Sequence, residues 1–153
     1  MQVTVRRATA ADAPALARLR WRWPGEERDE TGPDHAAFLE YFSAWVVDHL
    51  STHLPFLAEV DGRVAGMAWL MLATRVPSPT RIDRRTGDVQ SVYVVPELRN
   101  SGVGAALLDA VLAEARDRGL EHVTVHSSDR AVPFYLRAGF QDGQSWFHWN
   151  PDW

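Results

Sequence analysis

Two glycines separated by one residue mark the part of the chain best suited to bind a ligand. Residues 89–108 read VQSVYVVPELRNSGVGAALL: an apolar, β-branched run interrupted by Pro96, a polar turn with Gly102 and Gly104, and an alanine- and leucine-rich segment. This order predicts a strand, a turn and the start of a helix. The first amide N–H groups of a helix lack intrahelical acceptors and lie at the positive end of its dipole, and glycine lets a ligand approach them. The junction therefore predicts a phosphate site.

A second segment carries side chains that can move protons. Residues 126–140 read HSSDRAVPFYLRAGF, which predicts a short helix through Arg137 that is capped near Ser128 and ended by Gly139. Tyr135 lies on this helix, and a phenol with an ordinary pKa of about 10 keeps its proton at neutral pH and can give it to a leaving group.

Both segments resemble the GNAT family of N-acetyltransferases. Residues 99–104, RNSGVG, resemble the family's Q/R-x-x-G-x-G/A pyrophosphate loop, and residues 92–97, VYVVPE, resemble its cofactor strand. Residues 126–140 resemble the family's late N-x-x-A-x-x-h-Y-x-x-h-G-F segment, in which h is apolar, with Ser128 at the place where asparagine is most usual. The similarity spans nearly the whole chain.

The resemblance implies that acetyl-CoA is the co-substrate; no metal is expected, because the six histidines show no metal-ligand spacing. The backbone of the cofactor strand would hold the pantetheine arm and the thioester carbonyl, and the loop would surround the pyrophosphate. Tyr135 would be the general acid and would also contact the cofactor. The cofactor-binding residues implied in this way are Val92, Tyr93, Val94, Arg99, Asn100, Ser101, Gly102, Val103, Gly104, Ala105, Ser128 and Tyr135.

The general base is less well defined by the sequence. Many relatives place a glutamate on the cofactor strand or on the next strand, and neither predicted strand interior offers a carboxylate here. Asp88, just before the cofactor strand, and His126, just after the strand Val123–Val125, are the titratable candidates. Histidine titrates closest to neutral pH, although a histidine at a strand end often has only a structural hydrogen bond. A chain of waters without a dedicated base is an equal alternative.

Other nucleotide-binding patterns match the glycine turn less well. The dinucleotide fingerprint G-x-G-x-x-G/A would need a small residue where Leu107 stands, although Asp129 lies where a ribose-binding acid could be. A phosphate-binding Walker loop is excluded, since the chain contains no lysine. A purely structural role, in which the glycines only make a tight turn, is the remaining alternative.

The element pattern predicts an α/β fold in the order β-α-α-β-β-β-α-β-α-β-β. Asp61-Gly62 between two apolar runs is a strong hairpin signal, and Thr9 is expected to cap the first helix. The resemblance implies a mixed central sheet with helices on both faces, in one acetyltransferase domain over residues 1–153. Six of these seven strands are placed, at Val3–Arg7, 56–60, 64–72, 89–95, Val123–Val125 and 144–149. The predicted helices are 9–20, 34–50, 105–118 and 127–137, and residues 21–35 and 74–87 are predicted loops.

Charge, hydropathy and the lack of cysteine exclude several classes of function. The net charge of −4 gives no general attraction to nucleic acid. No apolar run approaches the roughly 20 residues of a membrane span, and the N-terminus lacks a signal-peptide core, so a cytoplasmic location is expected. The chain has no cysteine, which leaves no disulfide and no thiolate site, and its six histidines show no metal-ligand spacing.

These features predict an N-acetyltransferase that moves acetyl from acetyl-CoA to the primary amine of a small molecule or peptide, by direct attack in a ternary complex. The acidic residues Glu26, Glu27, Asp29 and Glu30 would attract a cationic amine, unless they form only a solvated loop. A catalytically silent acyl-CoA-binding regulatory module of the same fold is the alternative, and an oxidoreductase using a nicotinamide cofactor is a more distant one. Exposed aromatic residues are compatible with a homodimer.

Overall fold

The computed structural model describes residues 1–23, 25, 28–143 and 145–152. Within them, five strands form one sheet in the chain order β1 to β5, and four α-helices pack on it. The strands are β1 (Val3–Arg7), β2 (His53–Val60), β3 (Arg63–Thr74), β4 (Arg85–Val94) and β5 (Val123–Val125). The helices are α1 (Ala13–Arg22), α2 (Pro33–His49), α3 (Val103–Asp117) and α4 (Val132–Arg137), with short 3-10 turns before α1, α3 and α4.

Strands β1 to β4 are antiparallel, and β5 pairs parallel to β4. The β2–β3 turn is built from Asp61 and Gly62, whose φ angles of 49° and 82° are both positive. Such turns match the right-handed twist of paired strands, so the predicted hairpin is confirmed.

Apolar side chains alternate between the two faces of the sheet. On one face, β2 residues such as Phe56 pack with Leu70 and Val89 against Leu107 and Val111 of α3. On the opposite face, a second core contains Ala8, Ala13, Leu16, Leu19, Val46, Leu57, Met67, Trp69, Tyr93 and Val95. These residues join the sheet to α1 and α2. The structure therefore confirms a mixed sheet with helices on both faces.

Strands β4 and β5 separate after a short ladder. They pair only from Gly87, Asp88 and Val89 to Val123–Val125, whereas β4 continues beside β3 as far as Val94. Ser91 has a φ of 53°, and the register between β3 and β4 shifts at this point, as expected of a β-bulge. The carboxyl half of β4 consequently lacks β5 as a neighbour, and a wedge opens between the two strands.

Several local predictions are wrong. Residues 145–149 form no strand, and Gln144 lies outside the described residues. The alternation in this tail is weak, since Trp146 and Phe147 are adjacent apolar residues, and both are exposed, at 58% and 92%. Strand β4 begins at Arg85, inside the predicted loop 74–87.

The helix ends also differ in detail from the prediction. Thr9 is the N-cap of the 3-10 turn before α1 and forms a capping box with Asp12, whose carboxylate accepts a hydrogen bond from the Thr9 amide at 2.8 Å. Ser128, in contrast, precedes its 3-10 turn without a side-chain cap bond. The predicted helix ends at Gly119 and Gly139 are confirmed, because both glycines have positive φ, at 66° and 100°.

None of the helices in the described ranges is both long and apolar enough to cross a lipid bilayer. The cytoplasmic location and the homodimer stay predictions.

The pair of Arg6 and Asp12 fastens β1 to the start of the first helical segment. Both Asp12 oxygens accept hydrogen bonds from the Arg6 guanidinium at 2.8 Å, and these bonds lower the pKa of Asp12 to about 2. A carboxyl whose folded pKa is depressed stabilises the fold above its unfolded pKa, about 3.9, and this contribution is lost as the pH falls through the folded value.

Asp12→Asn should therefore lower the free energy of unfolding at pH 7 by about 1 kcal/mol, the upper range for a pair whose arginine is solvent-exposed. The difference from wild type should shrink steadily between about pH 4 and pH 2. Urea unfolding at pH 7, 4 and 3 measures it. A difference that stays the same at all three values would contradict the assigned charge interaction.

Candidate active site

A cavity of about 950 Å³ lies in the wedge where β4 leaves β5. We call it the wedge cavity. Its walls come from three places: the carboxyl half of β4, the turn that begins α3, and the segment from Ser128 through α4. The residues predicted to bind a cofactor that line it are Val92, Tyr93, Val94, Arg99, Asn100, Gly102, Gly104, Ala105 and Ser128. Most of the predicted cofactor site is thus brought together around one space.

The glycine turn presents free amide groups to this cavity. Gly102 has a φ of 89° and directly precedes α3, whose ladder begins with the bond from the Ala106 N–H to the Gly102 carbonyl at 3.0 Å. The preceding N–H groups in the first turn therefore lack intrahelical acceptors. A Cβ on Gly102 would meet no atom within 4 Å, so the space before the turn is open. A Cβ on Gly104 would lie 3.3 Å from Phe134, so this glycine lets α4 approach closely.

Arginines give the wedge cavity a positive wall. Arg99 donates from Nε to the Val94 carbonyl at 3.1 Å, with its guanidinium 5.6 Å from the centre of the Tyr93 ring. Arg130 and Arg137 line the opposite side, and Asp109 also lies in the wall. Free amides and three guanidinium groups around one cavity favour a ligand with several phosphate charges.

Ser101 and Val103 do not line the wedge cavity. The Ser101 hydroxyl donates to the Leu98 carbonyl, and the Val103 side chain is buried beneath α3. These two residues shape the turn through its internal bonding and packing. Tyr93 borders the cavity, but its side chain is 2% exposed among the residues under α1 and α2. Tyr93 can therefore contact a ligand in the wedge cavity through its main chain.

Tyr135 lines a different cavity. This second space, the edge cavity, measures about 710 Å³ and lies between α4, the outer edge of β5 and the carboxyl half of α3. Neighbouring residues on a helix point about 100° apart, so Phe134 enters the wedge cavity and Tyr135 the edge cavity. Burial raises the pKa of the Tyr135 phenol. The group keeps its proton at neutral pH, and its role as the general acid stays a prediction.

The expectation that neither strand interior holds a carboxylate is wrong, because Asp88 lies inside β4. Its Oδ1 accepts a hydrogen bond from the Thr124 hydroxyl at 2.6 Å, and its Oδ2 accepts one from the Gln90 amide at 3.1 Å. Val89 points into the core under α3, so the flanking side chains of Asp88 and Gln90 lie on the opposite face. A carboxylate therefore stands where β4 and β5 are still paired, just before the wedge.

His126 is exposed, and its ring lies 6.0 Å from the ring of His148. It lines neither the wedge cavity nor the edge cavity. Of the two predicted bases, Asp88 is the one held by hydrogen bonds at the mouth of the wedge.

Sequence reasoning missed Trp23, Asp109, Arg130, Phe134 and Arg137 as lining residues. Arg130 lies in the 3-10 turn before α4, and Arg137 is the last residue of α4. Their spacing of seven residues, about two helical turns, is the sequence signal that could have placed both on one side of this segment. The predicted acidic loop is only partly visible, since Glu26 and Glu27 lie outside the described residues; Asp29 is engaged with Thr31 at 2.6 Å. Among the described side chains, no cluster of three or more histidine, aspartate or glutamate groups is arranged to hold a metal ion.

The chain is similar in sequence to known acetyltransferases. The model of the acetyltransferase (GNAT) family matches residues 14–140. The chain is 35% identical over 142 residues to an aminoglycoside N(6')-acetyltransferase type 1 of Stenotrophomonas maltophilia, covering 86% of this chain and 85% of that protein. It is 35% identical over 86 residues to a glucosamine 6-phosphate N-acetyltransferase of Trypanosoma brucei brucei, covering 56% of each protein. The chain thus spans little more than half the length of this second relative.

The fold is also similar to a solved structure of a predicted acetyltransferase with acetyl-CoA from Clostridium acetobutylicum. The TM-score is 0.73 at 23% identity, covering 97% of this chain and 96% of the other. Because the family match covers most of the chain, including the glycine turn and the Tyr135 segment, this chain belongs to the GNAT acetyltransferase family.

Proposed function

We propose that residues 1–153 form one acetyl-CoA-dependent N-acetyltransferase domain that acetylates the primary amine of a small molecule. The observation that carries the proposal is the wedge cavity, which joins the part of β4 beyond its ladder with β5, the first amides of α3 and three arginines in one space. An acyl-CoA has the complementary shape, with a pyrophosphate at one part and an extended arm ending in the thioester at another. The match to the GNAT family supports the same assignment.

In this proposal, the turn at residues 100–105 binds the pyrophosphate through its amides, which the dipole of α3 makes favourable for an anion. Arg99, Arg130 and Arg137 add charge to that region. The backbone of residues 92–94 then binds the arm, because this half of β4 has no β5 backbone beside it. Val92 and Val94 give the arm an apolar wall.

Acetyl-CoA supplies an activated thioester carbon. The amine nitrogen forms a bond to that carbon, the carbon–sulfur bond breaks, and the sulfur leaves with the electron pair. An amine that arrives as an ammonium must first lose a proton, and Asp88 is positioned to receive it directly or through water. The departing sulfur needs a proton, for which Tyr135 is the candidate once the arm is bound. The new amide nitrogen loses its second proton to water, and the Tyr135 phenolate regains a proton from water.

The named relatives support a small amine as the acceptor, since the printed names of two of them specify an aminoglycoside and an aminosugar phosphate. The silent acyl-CoA-binding module is the second candidate function. The observation that favours it is the position of Tyr135, which lines the edge cavity rather than the wedge cavity.

Thiol release from acetyl-CoA across a panel of amines tests the proposed activity, with thermal unfolding in acetyl-CoA, CoA and NAD as the companion measurement. Acetyl-CoA and CoA should raise the melting temperature, since a ligand that binds the native state stabilises it. NAD should not. Release of thiol with at least one amine is expected; stabilisation by CoA without any turnover would favour the silent module, and stabilisation by NAD alone would overturn the cofactor assignment.

Gly102→Ala should weaken binding of acetyl-CoA about tenfold, or ~1.4 kcal/mol. At a φ of 89° an alanine is strained, and relief of the strain would turn the first amides of α3 away from the anion. Gly62→Ala is the matched control, because Gly62 has a φ of 82° and equally open surroundings in the β2–β3 turn. Both variants should lose stability, and calorimetric titration should show loss of affinity for the first alone. Equal affinities would show that the turn does not contact the ligand.

Asp88→Asn and Tyr135→Phe should each lower kcat by about 10²-fold, the lower range for loss of a general base or acid. Neither should change the dissociation constant of acetyl-CoA. Asp117→Asn, at the far end of α3, is the control and should leave kcat unchanged. A wild-type kcat for Tyr135→Phe would remove the phenol from the mechanism, and the same result for Asp88→Asn would favour deprotonation by water alone.

A further inference from the structure

A row of four side chains crosses the face of the sheet opposite α3. The strand registers pair His53 with Met71, Met71 with Asp88, and Asp88 with Thr124. Directly paired residues of neighbouring strands point to the same side, so the four lie in one line across β2, β3, β4 and β5. We call this line the acceptor shelf.

The acceptor shelf lies where the helices stop covering the sheet. In β3, Trp69 lies two residues before Met71 and is 3% exposed beneath α2, and Met67, two residues earlier still, is fully buried. All four residues of the shelf, in contrast, are partly exposed. The acceptor shelf is therefore accessible beside a packed core, and it includes the Asp88 carboxylate that the proposed function uses.

Two imidazoles lie at the β2 end of the acceptor shelf. The ring of His49, the last residue of α2, lies 5.8 Å from the ring of His53 at an angle of 83°. His49 Nδ1 is hydrogen-bonded to the Trp45 carbonyl at 2.7 Å, and His53 Nδ1 to the Thr52 hydroxyl at 2.8 Å. Within the described part of the chain, each ring thus has Nδ1 engaged and Nε2 without a protein partner.

Packing fixes the orientation of these rings. His49 stacks on Trp45 at 4.1 Å, and His53 meets the same indole edge-on at 5.1 Å. The other face of Trp45 packs against Phe42, so the indole is a support rather than a free surface. Burial and the proximity of His49 lower the pKa of His53, and a neutral imidazole can accept a hydrogen bond from a hydroxyl group.

Resting on the proposed function, we infer that His49 and His53 are the subsite for the hydroxyl groups of the acceptor, and that the acceptor is a polyhydroxylated ring amine. Asp88 lies two strands away from His53, about 10 Å between backbones. In this assignment, one six-membered ring lies over Met71, between His53 and Asp88. The amine then points to Asp88 and the wedge, and the ring hydroxyls point to the two Nε2 atoms.

Glucosamine and cyclohexylamine are both amines of a six-membered ring, and only glucosamine carries ring hydroxyls. Comparing the two therefore isolates the contribution of the hydroxyls. Wild type should acetylate glucosamine with a kcat/KM at least tenfold above that for cyclohexylamine. His53→Phe and His49→Phe keep an aromatic ring but remove the hydrogen bonds, and each should lower kcat/KM for glucosamine about tenfold, or ~1.4 kcal/mol, through KM. Their kcat/KM for cyclohexylamine should not change. His35→Phe is the control, since His35 lies 14 residues before His49 on α2, about 21 Å away.

The subsite would be overturned if wild type showed no preference for glucosamine. It would also be overturned if the variants lost kcat/KM equally for both amines. Should no amine be turned over, the proposed activity fails separately, and binding still decides this inference. Glucosamine added to the CoA-bound protein should then shift the imidazole NMR signals of His49 and His53, each assigned from its variant, and cyclohexylamine should not. Unmoved signals would rule the subsite out.

Discussion

The separation of β4 from β5 is the constraint on which the site depends. The two strands share a three-residue ladder and then part, because the bulge at Ser91 turns β4 while it keeps its pairing with β3. Gly87 makes the short ladder possible, since a Cβ there would lie 2.8 Å from Leu70 and 2.9 Å from Leu120. Without the separation, the backbone of residues 92–94 would be bonded to β5 and closed to a ligand.

The two faces of the sheet carry different groups. The α3 side carries the free amides and arginines that suit a polyphosphate, whereas the opposite side carries the acceptor shelf with Asp88 and the two imidazoles. The wedge lies between β4 and β5, where the two sides meet. A direct transfer needs both substrates bound at once, and this arrangement lets each approach from its own side.

Local sequence signals were enough for much of the fold and for the strand, turn and helix that line the wedge cavity. Strands Val3–Arg7 and Val123–Val125 have their predicted bounds, and the Asp61-Gly62 hairpin and the glycine turn are local devices that need no distant partner. The position of Asp88 was missed because residues 74–87 were predicted as a loop, whereas pairing of residues 85–88 with residues 71–74 of β3 makes a strand there. The side on which Tyr135 lies, and the pairing of His49 with His53, depend on contacts between distant elements.

The proposed cofactor site depends on the first turn of α3, whose amides we propose to bind the pyrophosphate of acetyl-CoA. Backbone amide NMR of the protein titrated with CoA detects this contact residue by residue. The largest downfield amide shifts are expected at Gly102, Val103, Gly104 and Ala105, with smaller changes along residues 92–94. Unchanged amides at the turn, with the shifts gathered instead around the edge cavity beside β5, would contradict it.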